Sequence, residues 1–142
     1  MKNPSTATAQ RSDPTLGKVT AWASRRGYNT LVVVNLFAFR ATEPAELNAV
    51  PYAAAVGPDN DRWLRAAAAE AADLVAGWGN ANGITPERYA RRLDEVLALL
   101  RGRRLWRVGP LTALGHPRHG LRWNQRQTLR RFDFSARDDK LS

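Results

Sequence analysis

The sequence of 142 residues contains no cysteine and has two histidines. The lack of cysteine excludes disulfide bonds, a CxxC redox pair, a thiolate nucleophile and zinc or iron–sulfur sites with sulfur ligands. His116 and His119 are left for acid–base chemistry near neutral pH. Long hydrophobic runs are also missing: residues 31–39 form the longest, are interrupted by Asn35, and fall short of the roughly 20 residues that span a bilayer.

The N-terminal segment is rich in serine, threonine and alanine and has no apolar stretch of the kind that marks a secretory signal. A cytoplasmic location is therefore the expectation. The length suits a single domain, and 44% hydrophobic with 25% charged residues is typical of a folded globular protein.

Positive charge is concentrated in the C-terminal part of the chain. The net charge is +9, and residues 101–142 hold 11 basic and 3 acidic side chains. Such a field attracts polyanions by counterion release, which predicts nucleic acid or a nucleotide as partner. The residues expected to contact it are Arg122, Arg126, Arg130 and Arg131. The alternative interpretation is a solvated basic tail that aids solubility.

Hydrophobic periodicity predicts strands that alternate with helices. The predicted helices are residues 14–26, 59–72 and 85–100, and the predicted strands are residues 30–37, 74–78 and 105–108. Residues 38–60 are predicted to form a long loop between the first strand and the second helix. This order indicates a three-layer α/β domain over residues 1–122, with a short, mainly parallel sheet flanked by helices, followed by a basic, arginine- and aromatic-rich tail over residues 123–142.

Four polar constellations fall where strands of this sheet end, the edge at which parallel sheets bind ligands. They are residues 3–6, Asn35, residues 77–80 and residues 116–120. Asn35 has two interpretations: a structural cap on a neighbouring loop, or an amide that recognises a ligand through one donor and one acceptor. The histidines have neither a carboxylate near them in sequence nor a cysteine, so no metal site is predicted. The glycine spacing after residue 77 departs from the dinucleotide fingerprint, so no cofactor is predicted.

These constellations resemble domain-of-unknown-function family 1643 of bacteria and phages. The stretches that carry the resemblance are Asn3-Pro4-Ser5-Thr6-Ala7, Asp13-Pro14-Thr15, residues 32–42, residues 56–61, Trp78-Gly79 and Gly115-His116-Pro117-Arg118-His119. The resemblance covers about residues 3–122 and implies no activity.

A more distant resemblance, to the uracil-DNA glycosylase superfamily, implies both a fold and an activity. In that superfamily an Asn-Pro or Asp-Pro turn positions water, a strand ending in asparagine reads a flipped base, a Trp-Gly strand follows, and a His-Pro-Ser loop closes the site. Asn3-Pro4, Asn35, Trp78-Gly79 and His116-Pro117 occur here in that order. Arg118 stands where those enzymes have serine.

The resemblance implies cleavage of an N-glycosidic bond, with Asn3 and His116 as catalytic residues. Asn3 is expected to orient water and His116 to hydrogen-bond the departing base. The residues expected to bind the substrate are Pro4, Ser5, Asn35, Phe37, Arg40, Gly79, Arg118 and His119.

Three functions stay open at this point: action on a base or nucleoside in nucleic acid, binding of nucleic acid or a nucleotide without catalysis, and an interaction or structural role. Both resemblances expect a strand before Asn3. The expectation is that translation starts upstream, or that the chain is a truncated relative that lacks this first strand.

Overall fold

The computed structural model describes residues 1–2 and 13–134. The α-helices of this part are α1 (Pro14–Arg25), α2 (Tyr52–Val56), α3 (Asn60–Glu70) and α4 (Pro86–Leu99). Short 3₁₀ helices cover Pro44–Asn48 and Gly120–Arg122. None of the helices in the described ranges is long and apolar enough to cross a membrane.

The three predicted helices are confirmed because their signals are local. The Asp13 side chain accepts a hydrogen bond from the backbone N–H of Leu16, and Pro14 occupies the first turn of α1. The predicted apolar face of the 85–100 helix is buried at every position: Tyr89, Leu93, Val96, Leu97 and Leu100. The long 38–60 connection is not a plain loop, since it contains α2 and one of the 3₁₀ helices.

The sheet of the described part has the order β1-β2-β3, with β1 Leu74–Ala76, β2 Leu105–Val108 and β3 Leu129–Arg131. β1 and β2 are parallel, as predicted, whereas β2 and β3 are antiparallel. The sheet is therefore mixed rather than mainly parallel. β3 and the buried Phe132 come from the segment that the sequence placed in a basic tail, so residues 123–134 are part of the sheet and core.

The predicted strand over residues 30–37 is wrong. The structure assigns no strand there, and Val32 is 68% exposed. A strand needs a neighbour that satisfies its backbone groups. Within the described residues, Met1 and Lys2 supply that neighbour for residues 34–37, where Leu36 and Phe37 are buried.

Helices cover both faces of the sheet. Leu74 packs against the larger core cluster, which includes Leu64 of α3 and Leu93 of α4. The next residue, Val75, packs against a second cluster with Trp22 of α1. Neighbouring strand residues point to opposite faces, so α3 and α4 lie on one face and α1 on the other. The described residues therefore form a small α/β fold with an open, mixed three-stranded sheet.

Candidate functional site

The 116–120 loop docks on the chain that leaves the carboxyl end of β1. The backbone N–H of Gly79 donates to Pro117 O at 2.9 Å, and a Cβ atom on Gly79 would lie 2.9 Å from Cβ of His119. Gly79 also has a φ of +70°, a conformation that glycine adopts without steric cost. The contact and the backbone conformation therefore both require glycine at this position.

His116 is positioned by Thr112 of the preceding segment and by Tyr89 of α4. Its backbone N–H donates to Thr112 Oγ1 at 3.1 Å, and the Thr112 hydroxyl donates to Asn80 Oδ1 at 2.8 Å. The His116 ring packs edge-on against the Tyr89 ring with centroids 5.5 Å apart, while the Tyr89 hydroxyl donates to Gly79 O at 2.6 Å. Tyr89 thus ties the histidine loop to the end of β1.

His119 is held as a neutral imidazole. Its Nδ1 accepts a hydrogen bond from the backbone N–H of Leu121 at 3.2 Å, which places the proton of the neutral ring on Nε2. Burial, and next the positive charge of Lys2, lower the pKa of His119 to about 4. At neutral pH the site therefore contains an uncharged nitrogen donor.

Met1 and Lys2 lie beside residues 34–37. The Met1 α-amino group donates to Val34 O at 2.6 Å, and the backbone N–H groups of Leu36 and Phe37 donate to Met1 O and Lys2 O, both at 2.8 Å. Burial lowers the pKa of the Met1 amine to about 5 and that of Lys2 to about 8. The Lys2 side chain is 4% exposed, which makes it a buried cation within electrostatic reach of His119.

Asn35 is half-buried, and its backbone is held from the α3 and α4 side. Asn60 Nδ2 donates to both Asn35 O and Leu36 O at 3.0 Å. Arg92 Nε also donates to Leu36 O, at 2.5 Å, and the guanidinium forms an ion pair with Asp61 at 2.8 Å. Arg92 itself is fully buried. The segment that carries Asn35 is therefore fixed by three side-chain hydrogen bonds to its carbonyl groups.

The structure brings some of the predicted site residues together and leaves others apart. Gly79 meets the docked loop that carries His116 and His119. Arg118 of the same loop donates from Nε to Pro110 O at 3.1 Å. Met1 approaches both sides of this region, since Cβ atoms on Gly77 and Gly120 would lie 3.5 Å and 2.5 Å from its side-chain atoms. Phe37 is fully buried in the core, and Arg40 is exposed. Asn3, Pro4 and Ser5 lie outside the described residues.

Sequence reasoning missed the two buried cations, Lys2 and Arg92. Charged side chains are almost never fully buried without a partner, so neither residue type predicts burial. One signal was present for Arg92, which follows Tyr89 by three positions and therefore falls on the apolar face of α4. No comparable signal marks Lys2.

The arginines expected to contact nucleic acid lie at or beside β3. Arg122 ends the second 3₁₀ helix, Arg126 sits in the turn before β3, and Arg130 and Arg131 belong to the strand; all four are exposed. Arg130 stands opposite Arg107 of β2. Burial, and next the charge of Arg130, lower the pKa of Arg107. Two like charges therefore face each other across β2 and β3.

Among residues 1–2 and 13–134, no group of three or more histidine, aspartate or glutamate side chains is arranged to hold a metal ion. The groups that the site offers are imidazole, amide and backbone hydrogen-bond donors and acceptors, with Lys2 near His119.

A family model described as Protein of unknown function (DUF1643) matches residues 1–121. No curated protein matches the chain, and no solved structure matches it.

Proposed function

Because the chain belongs to the family described as Protein of unknown function (DUF1643), which has no assigned activity, we propose from its own residues that it acts on a base or nucleoside in nucleic acid. The proposed site is the docked loop with Gly79, His116 and His119, together with Asn35. A glycosylase-like arrangement of these residues is part of the proposal.

The reaction that suits these residues is hydrolysis of an N-glycosidic bond. The oxygen of water bonds to C1′ of the sugar, the C1′–N bond breaks with its electron pair going to the base, and the base takes up a proton. A His116 N–H donates to the base as negative charge grows on it. Asn35 hydrogen-bonds the base edge through its amide. Asn3, outside the described residues, orients the water.

The observation that carries the proposal is the docking of the 116–120 loop on Gly79. The 2.9 Å hydrogen bond to Pro117 O and the close approach of His119 bring the loop histidines to the carboxyl end of β1. That end is where parallel sheets bind their ligands. The tautomer of His119 supports the proposal further, because Nδ1 accepts from the Leu121 N–H and the remaining N–H, on Nε2, can donate a hydrogen bond to a base.

The test is release of free base from oligonucleotides that contain uracil, hydroxymethyluracil, hypoxanthine or an alkylated base. His116→Ala is expected to slow release, and Asn3→Ala to lower kcat with KM largely kept, since water positioning counts mainly in the transition state. Asn35→Ala is expected to abolish discrimination among bases. Asn29→Ala is the matched control, because Asn29 is exposed and bonds to the neighbouring Thr30.

Two outcomes contradict the proposal in different ways. If the folded protein releases no base from any substrate, the enzymatic proposal fails. If release is found but survives Asn3→Ala, the activity stands and the role of Asn3 is wrong.

Binding of nucleic acid or a nucleotide without catalysis is the second candidate. It is favoured by the exposed arginines of β3, since Asp133 is the single acidic residue between positions 101 and 134. In that case the arginines, rather than Asn3 or His116, should dominate affinity. Steep weakening by salt is expected, because each phosphate contact releases counterions.

A further inference from the structure

A cavity of about 390 Å³ lies at the end of the sheet opposite to the candidate site. It is lined by residues 102–105, which lead into β2, and residues 131–134, which leave β3. β2 and β3 are antiparallel, and the N–H of Phe132 donates to Leu105 O at 2.9 Å, so these two segments meet. Because β1 and β2 are parallel, this amino-end cavity and the docked loop occupy opposite ends of the sheet.

Two arginines of the lining are available to a ligand. Arg103 is already engaged, since its guanidinium donates to Ala68 O and Ala71 O at the end of α3. Arg104 and Arg131 are exposed, and their guanidinium groups make no hydrogen bond or ion pair with any residue that the structure describes. Arginines with free donors on a cavity wall suit a phosphate group.

The cavity also has an aromatic wall. Phe134 is half-buried and its ring lies 6.5 Å from that of Phe132, tilted by 33°. Phe132 in turn packs edge-on against Trp78, with ring centroids 5.7 Å apart. Phe134 is therefore backed by the core while part of it faces the cavity. Nucleobases stack on such rings whatever their sequence.

We propose that the amino-end cavity binds one nucleotide of a single-stranded nucleic acid, with the base on Phe134 and the phosphate on Arg104 and Arg131. This rests on the nucleic-acid partner of the proposed function. The volume lies within the range of about 300 to 1,000 Å³ typical of small-ligand pockets. A duplex fits less well, because its bases are stacked on one another and cannot reach the ring.

The test is a fluorescence titration of the full chain with a labelled oligothymidylate of about ten nucleotides, at about 50 and 200 mM salt. Arg104→Gln is expected to weaken binding about fivefold and to reduce the slope of log K against log salt by about 0.7, the value for one lost contact to a single strand. Phe134→Leu is expected to weaken binding about tenfold without changing that slope.

Arg101→Gln is the matched control, since it removes the same charge from an exposed neighbour outside the cavity lining. Its effect should be less than half that of Arg104→Gln. A duplex of the same length should be insensitive to Phe134→Leu. Circular dichroism melting checks that each variant is folded. If Phe134→Leu does not fold, the comparison of Arg104→Gln with Arg101→Gln still tests the proposal.

The proposal is overturned if Arg104→Gln and Arg101→Gln weaken binding equally, because net charge would then explain the affinity. It is also overturned if Phe134→Leu is folded and has no effect, which would mean a phosphate contact without a base, or if no oligonucleotide binds at low salt. If the protein releases free base and Arg104→Gln leaves oligonucleotide binding unchanged, this inference is overturned while the enzymatic proposal stands. Binding that depends on both residues without base release would overturn the enzymatic proposal alone.

Discussion

Replacing Arg92 with methionine tests how a buried cation holds the segment that carries Asn35. The Arg92 guanidinium donates hydrogen bonds to Leu36 O at 2.5 Å and Asp61 at 2.8 Å, and it forms a longer ion pair with Glu95 at 3.8 Å. The two carboxylate side chains are 47% and 41% exposed, whereas the arginine side chain is 1% exposed. The desolvation cost of this cluster therefore falls mainly on the arginine.

The magnitude follows from what each variant leaves behind. In Arg92→Met, Asp61 and Glu95 regain water, and Leu36 O keeps its hydrogen bond from Asn60. The loss is then close to one charge-assisted hydrogen bond, about 2 kcal/mol of unfolding free energy. Asp61→Ala leaves the cation buried with its more distant partner, and removing one member of a buried pair costs about 3 to 5 kcal/mol. Glu95 lowers this figure toward 3.

The assay is urea denaturation followed by circular dichroism, with unfolding free energies compared at a common m value. In the Asp61→Ala background, adding Arg92→Met is expected to cost less than about 1 kcal/mol, because it removes the cation that the first change left unpaired. Equal costs of Arg92→Met in both backgrounds would refute the reasoning, since they would show that the arginine and Asp61 do not interact.

Two further predictions concern the docked loop. Gly79→Ala should lower the unfolding free energy about 1 to 3 kcal/mol more than Gly102→Ala, because both glycines have positive φ but a Cβ at Gly102 meets nothing within 4 Å. Equal losses in urea denaturation would contradict the contact between Gly79 and His119. The pKa of His119 is about 4 when folded and near 6.5 when unfolded, so the unfolded state binds the proton first and stability should fall by up to about 3 kcal/mol as pH drops from 6.5 to 4. His119→Asn retains an acceptor for Leu121 and should lack this part of the pH dependence; identical pH profiles would contradict it.

The elements that the sequence predicted well are those whose signals lie within the element. An N-cap followed by proline begins α1, and an apolar face at helical spacing defines α4. β2 is continuous in hydrophobic and β-branched character except for Arg107, and its predicted bounds agree with the structure.

The errors concern strands, whose existence depends on distant neighbours. Residues 30–37 have high β propensity, yet within the described residues Leu31, Val32 and Val33 have no partner strand and stay exposed. β3 shows the opposite case, because its sequence Leu-Arg-Arg has no strand pattern and yet forms a strand by pairing with β2. Propensity therefore overestimated the first segment and gave no indication of the second.

The same distinction applies to the candidate site. The meeting of Gly79 with the 116–120 loop follows from a general rule about the carboxyl ends of parallel strands. The burial of Lys2 and Arg92 follows from no such rule, because it depends on carbonyl groups and carboxylates that come from other parts of the chain. Sequence reasoning located the histidine loop and missed the two buried cations.

The two proposed binding regions together favour a polymer over a free nucleoside. The docked loop follows the carboxyl end of β1, while the amino-end cavity precedes β2, so a distance of at least about 10 Å along the strands separates them. β3 begins near Gly109, whose N–H donates to Thr128 O, and ends at the cavity, with Arg130 and Arg131 exposed along it. A free nucleoside can occupy one region at a time. We propose that a single strand occupies both, in which case its second contact gains from the first because the two are linked.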